Sequence, residues 1–288
     1  MPEEPGPSTR RRQLAVLLRR LRASAGMTLE EAGAASHTSR AAVHRAERSD
    51  ATARVPLVEA LCRAYGAPDD IRAAAVELAV TAKVKTWWQS APPAVPKQIL
   101  PLVALEHEGW QSWQWAPSRI PDLLQTRAYA EAAVRDGAED LPHEDVAALV
   151  EFRLRRQEVL RRASPFHVVL DEAALRRPVG GTAVMAEQLS ALVRSATAPH
   201  LALHLQVLPL SAGFCGAEGG FTYFRGPYAY EFDVVHYTTL GGAFYQEGAE
   251  ELARHRSVFA RLQAASLSEP ASLKLIETLA EESPATLS

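Results

Sequence analysis

Residues 27–48 read MTLEEAGAASHTSRAAVHRAER, and this stretch decides the fold of the first part of the chain. Thr28 is a good N-cap and Glu31 stands three residues on, the reciprocal pattern of a capping box, so a short helix is predicted from Leu29 to near Ala35. Ala32, Gly33, Ala34, Ala35 and Ser36 carry only small side chains, which lets a second helix cross closely over the first. Ser39 is placed to cap that second helix. Its spacing turns Ala42, Val43 and Ala46 inward and leaves Arg40, Ala41, His44, Arg45 and Arg48 outward, the arrangement of a helix read from the major groove of double-stranded DNA. Arg40, His44 and Arg45 are expected at base edges. Thr28, Ser39 and Arg48 are expected to contact phosphates or to cap the helices that face them.

The flanks extend this unit. Upstream, residues 13–25 (QLAVLLRRLRASA) carry Leu14, Leu17, Leu18 and Leu21 with arginines between them, the stripe of a helix packed on one face. Downstream, Pro56 opens a helix that runs through Leu57, Leu61 and Tyr65 to Gly66, with proline at the start and glycine past the end as punctuation. A fifth helix is predicted from Asp69 to about Val80. The expected unit is an all-α, five-helix domain over residues 11–82, behind a disordered lead at 1–10.

These residues resemble the Cro/C1-type repressors, whose motif runs Thr-Gln-x-x-Leu-Ala, then Gly-Val-Ser, then an apolar position and a closing Glu. Thr28, Ser39, Val43 and Glu47 match. Leu29 replaces the usual Gln, Ala32 the usual Leu, His37 the usual turn Gly and Thr38 the usual Val. The resemblance implies a DNA-binding domain, in which the Gln replaced by Leu29 commonly touches DNA. His37 sits at a turn position that often wants positive φ, which a histidine tolerates without favouring.

At 288 residues the chain suggests one to two domains, so a larger domain follows the first. With 47% hydrophobic and 23% charged residues the composition is that of an ordinary globular protein. No run approaches the roughly 18 apolar residues of a membrane helix, and MPEEPGPSTRRR at the start is no signal peptide. A cytoplasmic location is expected. Only four of the 31 basic residues are Lys, a usage that points to a GC-rich genome. The net charge of −3 divides unequally, with 14 basic against 10 acidic groups in residues 1–85 and the acidic excess in the remainder. Positive charge thus sits with the motif, and affinity for DNA would depend on a few phosphate contacts per subunit and on dimerisation. Cys62 and Cys215 form no CxxC. No metal, cofactor or disulfide is expected. His200 and His204 are read as two residues on one face of a strand.

Residues 83–97 read as a linker, ending among Pro92, Pro93 and Pro96. The five tryptophans cluster here, at 87, 88, 110, 113 and 115. Trp110, Trp113 and Trp115 are candidates to floor a small-molecule pocket; packing at the core or the domain junction is the other reading. From 98 to 283 a mixed α/β domain is predicted, with helices around a central sheet. Helices are expected near 99–109, 126–135, 142–162, 185–198, 247–264 and 269–281. Strands are expected at 166–170, 201–208, 221–224 and 230–237.

The segments IPDLLQTRAYA at Ile120, EFRLRRQEVL at Glu151, VVLDEAALRRPVGG at Val168, AEQLSALV at Ala186, LQVLP at Leu205 and EPASLKLI at Glu269 occur in fixed order. This series resembles the C-terminal domain of the WhiJ-like helix-turn-helix regulators of actinobacteria. One departure is Asp122, where that family usually has Gly. The resemblance implies a regulator of differentiation or specialised metabolism, often encoded beside a small partner protein.

Catalysis is not expected. Asp171 and Glu172 are adjacent at a strand end and so point to opposite faces, and helix capping explains them more simply. The Gly-rich GFCGAEGGF from Gly213 lacks the Lys-Ser/Thr of a phosphate loop, and no GxGxxG or GxSxG occurs. The arginines at 153, 155, 156, 161 and 162 read either as a solvated helix with local ion pairs or as a docking surface. Arg153 and Arg156 are the candidates for an acidic protein partner or a small-molecule effector. Gln157, on the apolar side of that helix, would need a buried hydrogen-bond partner. The sequence therefore predicts a sequence-specific DNA-binding transcriptional regulator, a homodimer and by default a repressor. The rival reading is an adaptor that has lost DNA binding, and a third is an enzyme domain fused to a helix-turn-helix.

Overall fold

A computed structural model describes residues 9–48, 53–82, 86–108, 110–138, 140–161, 164–226, 233–239 and 242–282. Expectations for residues 1–8 of the lead, 83–85 of the linker, Gly109, Arg162 and residues 230–232 lie outside the described residues. The chain divides into two compact units, Met1–Gln89 and Ser90–Ser288.

The first unit holds α1 (Thr9–Ser24), α2 (Leu29–Ala35), α3 (Arg40–Arg48), α4 (Val55–Ala64) and α5 (Asp69–Thr81). Each start follows from local chemistry. The Thr28 hydroxyl accepts from Glu31 N–H at 3.2 Å and the Glu31 carboxylate accepts from Thr28 N–H at 2.8 Å, closing the capping box. Ser39 Oγ accepts from Ala42 N–H at 3.2 Å. Pro56 sits in the first turn of α4, and Gly66 turns the chain out of it at φ +67°. Leu14, Leu17 and Leu18 of α1 are buried with Ala32, Val43, Val58, Leu61 and Leu78. α1 begins at Thr9, four residues ahead of the expected start, so Arg10, Arg11 and Arg12 belong to the helix.

The second unit runs α6 (Leu100–His107), β1 (Gln111–Ala116), α7 (Arg127–Gly137), α8 (His143–Arg156), β2 (Phe166–Asp171), α9 (Glu172–Arg176), α10 (Thr182–Thr197), β3 (Leu203–Leu208), β4 (Phe221–Arg225), β5 (Val234–Thr239), β6 (Gly242–Gln246), α11 (Ala249–Ala265) and α12 (Glu269–Glu282). The strands form one six-stranded sheet in the order β3-β2-β1-β4-β5-β6. β3, β2 and β1 are parallel; β4, β5 and β6 follow antiparallel. Alternation along the strands divides the core into two layers. On one face Val168, Leu170, Leu205 and Val207 pack under Leu189 and Leu192 of α10 and Ile276 and Leu279 of α12, while Leu102 and Leu105 of α6 cover Phe224 and Val234. On the other face Trp115, Val169, Phe221, Tyr223 and Val235 pack against Leu252, Phe259 and Leu262 of α11.

The elements differ from the expected ones in three places. The predicted helix over 142–162 stops at Arg156 and tightens into a 3-10 turn over Gln157–Arg161, because the Gln157 side chain donates to the backbone carbonyls of Asp122 and Gln125 at 3.0 and 2.8 Å. β1 and β6 were not expected. β1 (QSWQWA) buries Ser112 and half-buries Gln114 on one face, so its alternation lacks the usual apolar-in, polar-out sense. His200 precedes β3 instead of sharing its face with His204.

Candidate functional site

The α2–α3 pair presents every DNA-contact candidate to the surface. Thr28, Ser39, Arg40, Ala41, His44, Arg45 and Arg48 are exposed, while Val43, Ala46 and Glu47 are buried. The close crossing rests on Gly33, where a Cβ would stand 3.0 Å from Thr38 O and 3.1 Å from Arg40 N. The turn rests on His37, at φ +53° the one non-glycine residue with positive φ among the described residues. The back of α3 is fixed by charge. Glu47, only 4% exposed, is gripped by Arg22 of α1 through Nε and Nη2 at 2.9 Å each, and Arg22 Nη1 also donates to Met27 O at 2.8 Å. Tyr65 of α4 donates to the same carboxylate at 3.3 Å. One arginine thus ties α1, the start of the motif and α3 together. Sequence reading matched Glu47 to the motif but did not find Arg22, which is 25 residues away. On the outer surface Arg40 Nε meets Glu30 of α2 at 2.6 Å, both exposed. Such a pair is weak in water and yields to a stronger anion.

In the second unit the 120–126 segment is locked from three sides. Gln125 Nε2 donates to Ile120 O and its Oε1 accepts from Arg153, both at 2.7 Å; the fully buried Gln188 bridges Leu124 O and Thr126 N–H, also at 2.7 Å. Beneath it, Arg156 lies 3% exposed, forked onto Glu106 at 2.8 and 3.0 Å and reaching Asp122 at 3.1 Å. Arg119 and Arg153 approach Asp122 at 3.1 and 3.7 Å. Burial alone pushes the Asp122 carboxyl up, but the three guanidinium groups outweigh it and hold the group far below the usual carboxylate range. Burial raises Glu106 against the pull of Arg156, and the two carboxylates more than offset burial to keep Arg156 charged. This cluster borders a pocket of about 170 Å³ over the middle of the sheet, between β1, β4 and β5 on one side and α6, α8 and the 117–123 loop on the other. His236 of β5 lines it, 4% exposed, with Nε2 buried and unpartnered. Burial and the nearby Arg156 push the His236 imidazole down to about 4.

A family model described as a domain of unknown function, DUF5753, matches residues 100–278. The chain belongs to the DUF5753 family. A helix-turn-helix domain model matches residues 13–75, so the DUF5753 unit follows the kind of domain that DNA-binding regulators carry. No curated protein and no solved structure matches the chain.

Within the DUF5753 unit several expectations are corrected. Trp110, Trp113 and Trp115 do not form one pocket floor. Trp110 is buried beneath α6 with Leu102 and Leu105, and the rings of Trp113 and Trp115 belong to the opposite face of the sheet because they sit at odd positions of β1. Trp113 instead stacks on His167 at 5.4 Å, His167 stacks on His204 at 4.4 Å, and Arg225 lies 5.0 Å over the Trp113 ring. Arg153 and Arg156 are no docking surface for a protein, since both turn inward to the acids beneath α8; Arg156 still borders the pocket, and a ligand role for it survives. Asp171 accepts from Ala173 N–H at 2.8 Å as the N-cap of α9, and Glu172 accepts from Leu210 N–H at 2.9 Å and Arg176 at 2.7 Å. Among the described residues no helix is long and apolar enough to cross a membrane.

Proposed function

We propose that this chain is a sequence-specific transcriptional regulator that binds DNA as a homodimer, represses by occluding a promoter, and uses its DUF5753 unit as a sensor. The supporting observation is the outward row Arg40, Ala41, His44, Arg45 and Arg48 on a capped helix whose back is fixed by the Arg22–Glu47 pair. A helix held this rigidly presents donors to base edges with little loss of freedom on binding. Thr28 and Ser39, at the two helix starts, lie where backbone N–H groups meet phosphates. The WhiJ-like resemblance supports a role in differentiation or specialised metabolism, with a small molecule or a small acidic protein as the signal. The capping and ion-pair duties of Asp171 and Glu172 favour a sensor over an enzyme. A signal acts only through unequal affinity for the DNA-competent and incompetent states.

The second reading, an adaptor that works by protein contact alone, draws on the Glu30–Arg40 pair, which occupies a reading arginine. Selection of sheared genomic DNA at physiological salt tests both. The regulator predicts recovered fragments that share an inverted repeat with half-sites about one helical turn apart. It also predicts that Arg40→Ala with Arg45→Ala abolishes the enrichment. Uniform recovery by the unaltered protein, with regulation in cells unaffected by the double substitution, would establish the adaptor.

A further inference from the structure

The pocket of the DUF5753 unit lies over the face of the sheet along β1, from Ser112 to the loop after its carboxyl end at Arg119, where β2 runs parallel on one side of β1 and β4 antiparallel on the other. The chain leaves β1 toward β2 and β3 and returns to its other side with β4. Crevices at such reversals of strand order are where open α/β sheets take their ligands. Size limits what enters. An engineered cavity of about 150 Å³ accepts a benzene ring, so about 170 Å³ takes one ring with a short substituent. Leu102, Phe166 and Phe224 supply apolar wall.

Charge and unsatisfied polar groups limit it further. Glu106 and Asp122 face Arg119, Arg153 and Arg156, leaving one positive charge in excess, and protonation of Glu106 would only add to it. Arg156 commits three of its five N–H groups to the two acids. Arg119 is 45% exposed, ion-pairs with Asp122 and borders the pocket. His236 offers a ring nitrogen with no partner, in a setting where buried polar atoms ordinarily have one.

We propose that this pocket binds a small monocarboxylate built on a single ring, of the size and charge of benzoate, with its carboxylate taken by Arg119 and the unspent N–H groups of Arg156 and a polar edge met by His236. Two guanidinium groups converging on one site suit a carboxylate, which accepts paired N–H bonds. The apolar wall holds the ring. This names the ligand class of the sensor proposed above and rests on that reading of the unit.

The test is a ligand-observed NMR titration of the purified full-length chain, without DNA, using benzoate and its neutral counterpart benzyl alcohol. Saturable benzoate binding at one site per chain is expected, with benzyl alcohol at least about tenfold weaker. Arg119→Ala should weaken benzoate about tenfold in a chain that still unfolds cooperatively, because Asp122 keeps Arg153 and Arg156 as partners. Arg127→Ala, which removes a surface ion pair with Glu151 away from the pocket, should leave binding intact. Equal binding of the two probes, indifference to Arg119→Ala, or no binding of either would overturn the assignment. Because DNA is left out, failure to bind benzoate leaves the DNA-reading proposal standing, and failure to bind DNA leaves the pocket result standing.

Discussion

At the scale of single residues, the proposed DNA-reading face is a matter of which arginines are available. Arg45 is exposed and carries no ion pair among the described residues, whereas Arg40 is held by Glu30. Glu30→Gln should release Arg40 and remove a negative charge from the surface proposed to approach phosphates. Fluorescence anisotropy with a selected operator should then show severalfold tighter binding at low salt, and a log K against log salt slope steeper by about one phosphate contact. An unchanged slope would mean that Arg40 does not reach the backbone. The same residues show how far chemistry was legible. Thr28, Glu31 and Ser39 act on neighbours three residues away, so their capping roles are written in local spacing. Arg22 and Glu47 act across helices 25 residues apart, and no spacing rule announces that pairing.

At the scale of elements, the α2–α3 turn is both close and strained. His37 holds φ +53°, a region that costs an L side chain about 1–2 kcal/mol. His37→Gly should relieve that strain, at some entropic cost from glycine. A net gain of about 1 kcal/mol and a rise of a few degrees in the melting midpoint of the helix-turn-helix unit are expected by calorimetry. Loss of stability would show that the imidazole makes a compensating contact. In the DUF5753 unit, β1 escaped sequence reading for an equally local reason. Its inward positions Ser112 and Gln114 serve a polar pocket while its tryptophans fill the opposite layer. Periodicity finds strands by their apolar face, and here both faces are used.

At the scale of the molecule, His236 makes the stability of the DUF5753 unit sensitive to acid. Burial, then Arg156, lowers its imidazole to about 4 in the folded state, with Asp122 pulling weakly the other way. The unfolded chain takes up that proton near the ordinary value of about 6.5, so the unfolded state binds more protons as pH falls. Stability is therefore full above the ordinary histidine range and is lost as pH drops through it toward 4, by about 3 kcal/mol in all. Glu106, raised by burial, works in the opposite direction. The histidine is isolated by comparison with His236→Phe. Urea unfolding of the full chain at pH 7 and pH 4.5 should show the substituted protein losing much less stability than the unaltered one. Equal losses would place the acid sensitivity elsewhere.

The sequence by itself determined what depends on neighbours along the chain. It gave away the five helices of the first unit and their caps, the outward placement of Arg40, His44 and Arg45, the mixed α/β character of the second unit and the capping duty of Asp171. Only the tertiary structure decided which distant groups meet. Arg156, read as surface charge, is buried because Glu106 and Asp122, 50 and 34 residues earlier, converge on it and offset the cost of removing it from water. Trp113 and Trp115, two apart on β1, share one face of the sheet, whereas Trp110, ahead of the strand, is buried with α6 on the other. The pocket exists only because four strands and two helices from separate parts of the chain leave a space that none of them encodes alone.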